Sequence, residues 1–383
     1  MGCLTRFMAA HFTPCFQTGY RFMPADTQIV PSLDLIHLTE RIKSEATSLG
    51  FQSAHIGSGN TEAHQARYEA WLDAGYNGSM SWMARNLDKR FDASKLHSGT
   101  LRSISVRMDY RPEGDMQAAL DDPNRAYISR YALGRDYHKL MRKRLTQLGK
   151  SIESWVGEHG YRAFVDSAPV LERQLAQQSG MGWLGKNTLL LNQQAGSYFF
   201  LGELFTNLPL PLDTPFETQH CGSCNRCLTD CPTDAFVEAG VLDARKCISY
   251  LTIEHSGPIP VELRSKMGNR IYGCDDCQIV CPFNSFSEPT READFQPRHS
   301  LDNISLLTLF NWDETTFLSN TEGSAIRRIG FEQWQRNLAV ALGNAPTSAA
   351  IIAALQRRLP EASPLVQEHI QWALSQHNHL PAV

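Results

Sequence analysis

The sequence contains no run of about 18 apolar residues, so a membrane-spanning helix is excluded. Nor is there a surplus of positive charge. Against 36 Lys and Arg stand 40 Asp and Glu, a formal charge of −4, so no global field draws the chain toward nucleic acid. Residues 1–30 lack helical or strand periodicity and have no continuous apolar stretch of the secretory type. This leader is expected to be a disordered or misassigned extension, because Met8 and Met23 offer later starts. Without an export signal, the cysteines are expected to be thiols or metal ligands of a cytoplasmic protein rather than disulfides. The remaining composition, 42% apolar and 20% charged, excludes a disordered or fibrous chain. A length of 383 residues is too great for one core and suggests two or three domains.

What the chain does have is cysteine. Of its 10 cysteines, Cys3 and Cys15 lie in the leader and the others fall between Cys221 and Cys281. Before them, Leu35, Leu38, Ile42, Ala46 and Leu49 mark a helix between a Ser32 cap and a Gly50 stop. A second helix is predicted over 62–74, ending at Gly75, and a long amphipathic one over 137–155. β-Rich runs at 102–106, 162–165, 188–191 and 198–204 complete an α/β or α+β domain over about 31–208. Prolines 209 and 211 read as an extended linker. Cysteine-rich sequence occupies 209–295, and short helices from 296 to 383 suggest a small HEAT-like stack.

Cys221-x2-Cys224-x2-Cys227-x3-Cys231-Pro232 has the ferredoxin spacing, in which the fourth cysteine serves a second cluster. Cys274-x2-Cys277-x3-Cys281-Pro282 supplies the other half, and Cys247 lies between. One 4Fe–4S cluster then takes Cys221, Cys224, Cys227 and Cys281, and the other takes Cys231, Cys247, Cys274 and Cys277. The insertion between Cys247 and Cys274 is long enough to reach a neighbouring site. The alternative is a pair of structural zinc sites, which usually use paired C-x2-C knuckles instead.

Two other motifs fail on context. Residues 180–185 match GxGxxG, but a helix-like segment precedes and a strand-like one follows, the reverse of a phosphate loop. The glycines around Trp183, followed by Lys186 and Asn187, point to close backbone approach to something bulky, or to a tight turn. Asp136-Tyr137-His138 begins like a cobalt-ligating D-x-H-x-x-G motif, but Met141 replaces its glycine, and His138 reads as a surface residue. Arg125, Arg130, Arg135, Lys139, Arg142, Lys143, Arg144 and Lys150 form a basic segment opposed by Asp136. Tyr127, Tyr131, Tyr137 and His138 are interleaved with these cations, a pattern suited to phosphates and unstacked bases or to a solvated helix face. Arg327, Arg328 and Arg336 form a second basic group. Asp166 ends a β-run, where an apolar cofactor held nearby would raise its pKa and make it a general acid; otherwise it caps the following helix.

Taken together, the motifs resemble the epoxyqueuosine reductases, corrinoid iron–sulfur enzymes of tRNA queuosine modification. The resemblance is carried by GSMSWMARN (78–86), SRYALGRDYHKL (129–140), FVDSAPVLER (164–173) and SGMGWLGKNTLLLN (179–192). It continues through CGSCNRCLTDCPTDA (221–235), RKCISYLTIE (245–254), MGNRIYGCDDCQIVCP (267–282) and EGSAIRRIG (322–330). It implies a cobalamin-binding domain akin to reductive dehalogenases, a ferredoxin-like two-cluster domain and a HEAT-like tail. Asp166 would be the proton donor. Arg90, Tyr131, Asp166, Gly182, Trp183, Lys186, Asn187 and Thr188 would hold cobalamin, and the cysteines two 4Fe–4S clusters as assigned above. Arg130, Arg135, His138, Lys139, Arg142, Glu254, Ser256, Arg327 and Arg328 would contact tRNA. A monomer fed by a low-potential ferredoxin or flavodoxin is expected. The rivals are a corrinoid reductase of a small molecule, such as a dehalogenase, and a noncatalytic ferredoxin-type carrier.

Overall fold

The structure is a computed structural model that describes residues 34–378; Cys3, Cys15 and the expected Ser32 cap lie outside them. Helix α1 (Leu35–Ser48) buries Leu38, Ile42 and Ala46 at the predicted spacing, and Gly50 stops it with φ +89°. The chain reverses into β1 (Ser53–Gly57), a strand without a clear alternating signal. A short 3-10 turn leads into α2 (Gln65–Asp73). Strands β2 (Arg102–Asp109) and β3 (Tyr127–Ile128) precede α3 (Tyr137–Val156). The Asp136 side chain caps α3 by accepting from the His138 N–H at 3.0 Å. After β4 (Tyr161–Phe164) come α4 (Glu172–Gln178), the hairpin β5 (Trp183–Leu184) and β6 (Leu190–Leu191), and β7 (Phe199–Thr206).

The main sheet has the order β1-β2-β7-β4, with every neighbouring pair antiparallel. Strand alternation divides its faces. Ile104, Val106 and Met108 of β2, with Phe200 and Leu204 of β7, pack against Ile42 of α1 and Leu145, Leu148 and Ile152 of α3. On the opposite face, Phe205 and Phe164 pack against Leu175 of α4. β4 therefore delivers residues 165–171 to the junction between α3 and α4, with apolar layers on both sides of the sheet fixing that exit point.

The cysteine-rich segment follows residues without regular structure, as the prolines predict. It contains the hairpin β8 (Phe236–Glu238) and β9 (Val241–Leu242), helix α5 (Ile248–Ile253), and β10 (Arg270–Tyr272), which pairs parallel with β3. Helices α6 (Gly330–Asn344), α7 (Ala349–Arg358) and α8 (Pro364–Asn378) close the chain. The expected faces are buried here, including Trp334, Leu338, Ile351, Leu355, Ile370 and Ala373. These side chains join Ile128, Leu133, Ile271 and Tyr272 in one core cluster. Asn337 donates to the carbonyls of Thr252 and Ile271, both at 2.9 Å. Arg336 donates to those of Leu251 and Gly257 at 2.7 Å and His255 at 2.6 Å. It is fully buried, which corrects its placement in a surface basic group: its charge is spent on backbone carbonyls. From Leu35 on, the described residues form one compact unit. Among them, no helix is long and apolar enough to cross a membrane.

Candidate active site and metal centre

The two cysteine runs each form a loop and a short helical turn, Arg226–Thr229 and Asp276–Ile279, and these turns pack together. Burial raises the Cys227 thiol to about 11, with Cys281, Cys221 and Cys224 pushing the same way. These four residues line one cavity of about 220 Å³. Burial likewise raises Cys247, Cys274 and Cys277, and the neighbours felt are Cys231 by Cys247, Cys247 by Cys274, and Cys247 and Cys231 by Cys277. The chain thus brings together the two interleaved quartets that the spacing suggested. Cys277 also feels Cys227, so the quartets are neighbours. Among the described residues, no His, Cys, Asp or Glu group has the span of a single metal ion, whereas a four-iron cubane is a wider body than the zinc of the alternative reading.

The glycine-rich turn serves this centre. Lys186 Nζ donates to the carbonyls of Gly222 and Cys224, both at 2.8 Å, while Asn187 Nδ2 donates to that of Cys277 at 3.3 Å. One turn thereby grips the loops of both quartets. Helix α4 precedes it and β6 follows, the order that excludes a phosphate loop. A Cβ at Gly182 would collide with the Leu191 carbonyl, so the close approach is to the protein's own backbone. Trp183 is fully buried between Phe216 and Phe283, whose ring centroids lie 5.6 and 4.8 Å away. Its indole therefore presents no face to a ligand, contrary to the expected corrin contact. Arg90 is also buried, with its guanidinium 5.4 Å from the Tyr68 ring centroid and Nη2 donating to the Trp82 carbonyl at 3.3 Å. Tyr131 packs edge-on to Tyr137 and Phe200, and its hydroxyl lies 3.4 Å from that of Tyr272. Thr188 has left-handed backbone, φ +67°, and its carbonyl accepts from Arg173.

A second centre is built on Asp166. Its side chain is 62% exposed, and Oδ2 accepts from the Tyr137 hydroxyl at 2.9 Å and faces His138 Nε2 at 3.3 Å. The other imidazole nitrogen, Nδ1, lies 2.6 Å from Asp136. Burial alone would lower the His138 pKa, but the hydrogen bonds to Asp136 and Asp166 push it up to about 9. The His138 hydrogen bond holds the Asp166 carboxyl below its ordinary value despite burial, helped by Tyr137 and by the Arg328 charge. In the protein alone a cation and a hydroxyl thus face Asp166 and favour its ionised form, the opposite of the pull an apolar cofactor beside it would exert. His138, read as a surface residue, is half-buried and bridges two carboxylates. The helix-cap alternative fails because Leu171 occupies the N-cap of α4.

Sequence reasoning missed Tyr137, Glu172 and Arg173 as parts of this centre. All lie in stretches that carry the resemblance, but nothing in local periodicity separates them from helix-surface residues. The Asp166 N–H donates to Glu172 Oε1 at 2.8 Å. Burial, with Asp166 adding to it, raises Glu172 well above its ordinary value, and burial lowers Arg173. Asp166 and Arg173 are open to solvent yet crowded by protein, as residues on the floor of a cleft are. That floor, with Tyr68 and Arg90 nearby, suits a large cofactor with anionic or carbonyl edges.

The expected tRNA contacts divide. Lys139 and Arg142, joined by Lys143, Thr146, Gln147 and Lys150, share one face of α3. Arg135 is 58% exposed beside Asp294, and Arg327 and Ser256 are exposed. Arg328 pairs with Glu254 and its charge reaches Asp166. Arg130, by contrast, is buried with its guanidinium 5.1 Å from the Tyr127 ring centroid, so it faces no phosphate. Tyr127, foreseen as a base-stacking platform, is fully buried and donates to Asp275 at 2.9 Å.

Residues 220–284 match the family model described as a 4Fe-4S double cluster binding domain. Together with the quartets and the carboxylate cleft, this defines the class, a two-cluster iron–sulfur oxidoreductase. Residues 90–167 match the family model of epoxyqueuosine reductase QueG. An epoxyqueuosine reductase of Pseudomonas aeruginosa is 57% identical over 346 residues, 90% of this chain and 96% of its own length. The chain belongs to the epoxyqueuosine reductase family. Among solved structures, that of the Bacillus subtilis enzyme, with its catalytic aspartate loop swung out of the active site, superposes with TM-score 0.80 at 27% identity, covering 90% of this chain and 91% of that one. An epoxyqueuosine reductase with an epoxyqueuosine-modified tRNA-Tyr stem loop superposes with TM-score 0.77 at 25% identity, covering 90% and 100%.

Proposed function

We propose that the chain reduces the epoxide of epoxyqueuosine in tRNA to the alkene of queuosine, with Asp166 managing the proton at the reacting oxygen. The observation that carries this reading is the cleft carboxylate held by Tyr137 and His138 in the same fold unit as the two cysteine quartets. Opening the epoxide and releasing its oxygen as water takes two electrons and two protons, and a 4Fe–4S cluster passes electrons singly. A cobalamin bound over the cleft would supply a strongly reducing, nucleophilic cobalt. Asp166, Arg173 and the Thr188 backbone are the groups of this chain placed to hold it. Gly182, Lys186 and Asn187 would act one layer back, tying that wall to the cluster loops.

Tyr137 and His138 keep Asp166 oriented. At neutral pH the shared proton resides on His138, whose pKa of about 9 stands above that of the lowered Asp166 carboxyl, so His138 is the resting holder of the pair's proton. The basic face of α3 and the Arg327–Arg328 turn lie on segments flanking the cleft, and their cations are read as tRNA backbone contacts. Helices α6–α8 form the HEAT-like tail that props the Arg328 turn. The enzyme works as a cytoplasmic monomer and takes electrons from a low-potential ferredoxin or flavodoxin.

Asp166→Asn tests the reading, because the amide keeps the shape and cannot pass a proton. Reconstituted with cobalamin and assayed anaerobically on epoxyqueuosine-containing tRNA, it should retain iron and corrinoid and lose turnover by at least about 10²-fold. Wild-type turnover in that variant would overturn the assignment.

A further inference from the structure

Asp166 has left-handed backbone, φ +54°, a conformation that residues with side chains seldom adopt. The loop holding it, residues 165–171, has two sets of outside anchors. From α3, Tyr137 and His138 grip the Asp166 carboxylate, and Arg142 donates to the Ser167 hydroxyl at 3.0 Å. From α4, Glu172 accepts the Asp166 N–H at 2.8 Å. The first set needs the Asp166 side chain already aimed toward α3. The second fixes the main chain that aims it.

We propose that Glu172 is a positioning residue, whose carboxyl latches the Asp166 main chain in its left-handed conformation and so keeps the carboxylate between Tyr137 and His138. The catalytic consequence rests on Asp166 being the proton-handling group; the latch itself does not. Glu172 is the first residue of α4, which packs against β2 and β7, so its backbone is anchored by the sheet, whereas the Asp166 side chain is exposed. Burial, with the nearby Asp166 charge, favours its neutral form, and a neutral carboxyl retains the carbonyl oxygen the latch needs. Glutamine preserves that oxygen at the same reach. Alanine removes it.

Glu172→Ala and Glu172→Gln, both as cluster-loaded full chains, separate the possibilities. The primary readout is the His138 ring titration by NMR of selectively labelled histidine. His138 is faced by Asp136 and Asp166, with Lys139 beside Asp136 and Arg328 reaching Asp166. If Asp166 swings away in Glu172→Ala, the midpoint falls from about 9 toward that of Asp166→Asn, Asp136 holding part of the shift. Glu172→Gln should titrate like the wild type. In turnover, Glu172→Ala should lose about 10²-fold in kcat with KM for modified tRNA little changed, while Glu172→Gln restores kcat to within about threefold. An unmoved His138 midpoint in Glu172→Ala overturns the latch. So does a Glu172→Gln enzyme as slow as Glu172→Ala with His138 unmoved, which would make Glu172 a proton carrier instead. The wild-type protein gives a check free of any folding defect: its Asp166 amide should be protected from hydrogen exchange, and rapid exchange there contradicts the latch. An active Asp166→Asn would defeat the functional reading yet leave the His138 and exchange results to decide the latch.

Discussion

Glu203 shows how far one residue can depart from its surface behaviour. It sits in β7, fully buried, where the hydroxyls of Ser103 and Ser105 donate to Oε2 and Oε1 has no partner among the described residues. No cation bonds to it, so burial raises its pKa from 4.5 to about 8, against the hydroxyls' pull. In the folded protein the group therefore keeps a proton that the unfolded chain releases. Its stabilising contribution is whole below pH 4.5, declines as pH rises toward 8, and is gone above it; the loss is on the order of several kcal/mol. Glu203→Gln, which cannot ionise, should show a smaller fall in denaturation midpoint between about pH 5 and about pH 9 than the wild type. Equal falls in the two proteins would mean that Glu203 does not titrate as described.

At the scale of elements, the two cysteine loops are the informative pair, because each quartet borrows from both. Cys227→Ser and Cys281→Ser, distant in sequence, should lose the same cluster and about half the iron. Cys231→Ser should lose the other cluster, a distinction visible by electron paramagnetic resonance after reduction. A Cys281→Ser protein whose remaining signal matches that of Cys231→Ser would rule out the interleaving. These loops were legible in sequence because ligand spacing is a local property. So were α1, α3 and the tail helices, whose apolar residues recur every three to four positions. β1 was not, since five residues carry too little alternation. Neither was the task of Lys186 and Asn187, whose partners Gly222, Cys224 and Cys277 are remote in sequence. The pull of the protein on the Asp166 pKa was hidden for the same reason. Its sign is set by His138, which only the packing of α3 beside the β4–α4 loop brings near. Arg130 and Arg336 look like surface cations in sequence because composition does not register depth.

Across the whole molecule, net charge and local charge disagree. A chain of charge −4 still gathers Lys139, Arg142, Lys143 and Lys150 along one helix face. Lys143→Ala and Lys150→Ala, far from the Asp166 carboxylate contacts, should weaken tRNA binding whatever its sequence. Each should lower the slope of log affinity against log salt by about 1, as filter binding at several salt concentrations would measure. A slope equal to that of the wild type would place the RNA elsewhere. The interleaved quartets have a consequence of another kind, for biogenesis. The first set of four thiols is complete only when Cys281 has been added to the growing chain, and the second only when Cys277 has. A polypeptide halted on the ribosome after the first run would display open, incomplete sets to any passing metal ion. Completion of either centre is thereby deferred until synthesis has entered the second run, and a product truncated before Cys274 has no finished centre through which stray electrons could reach oxygen.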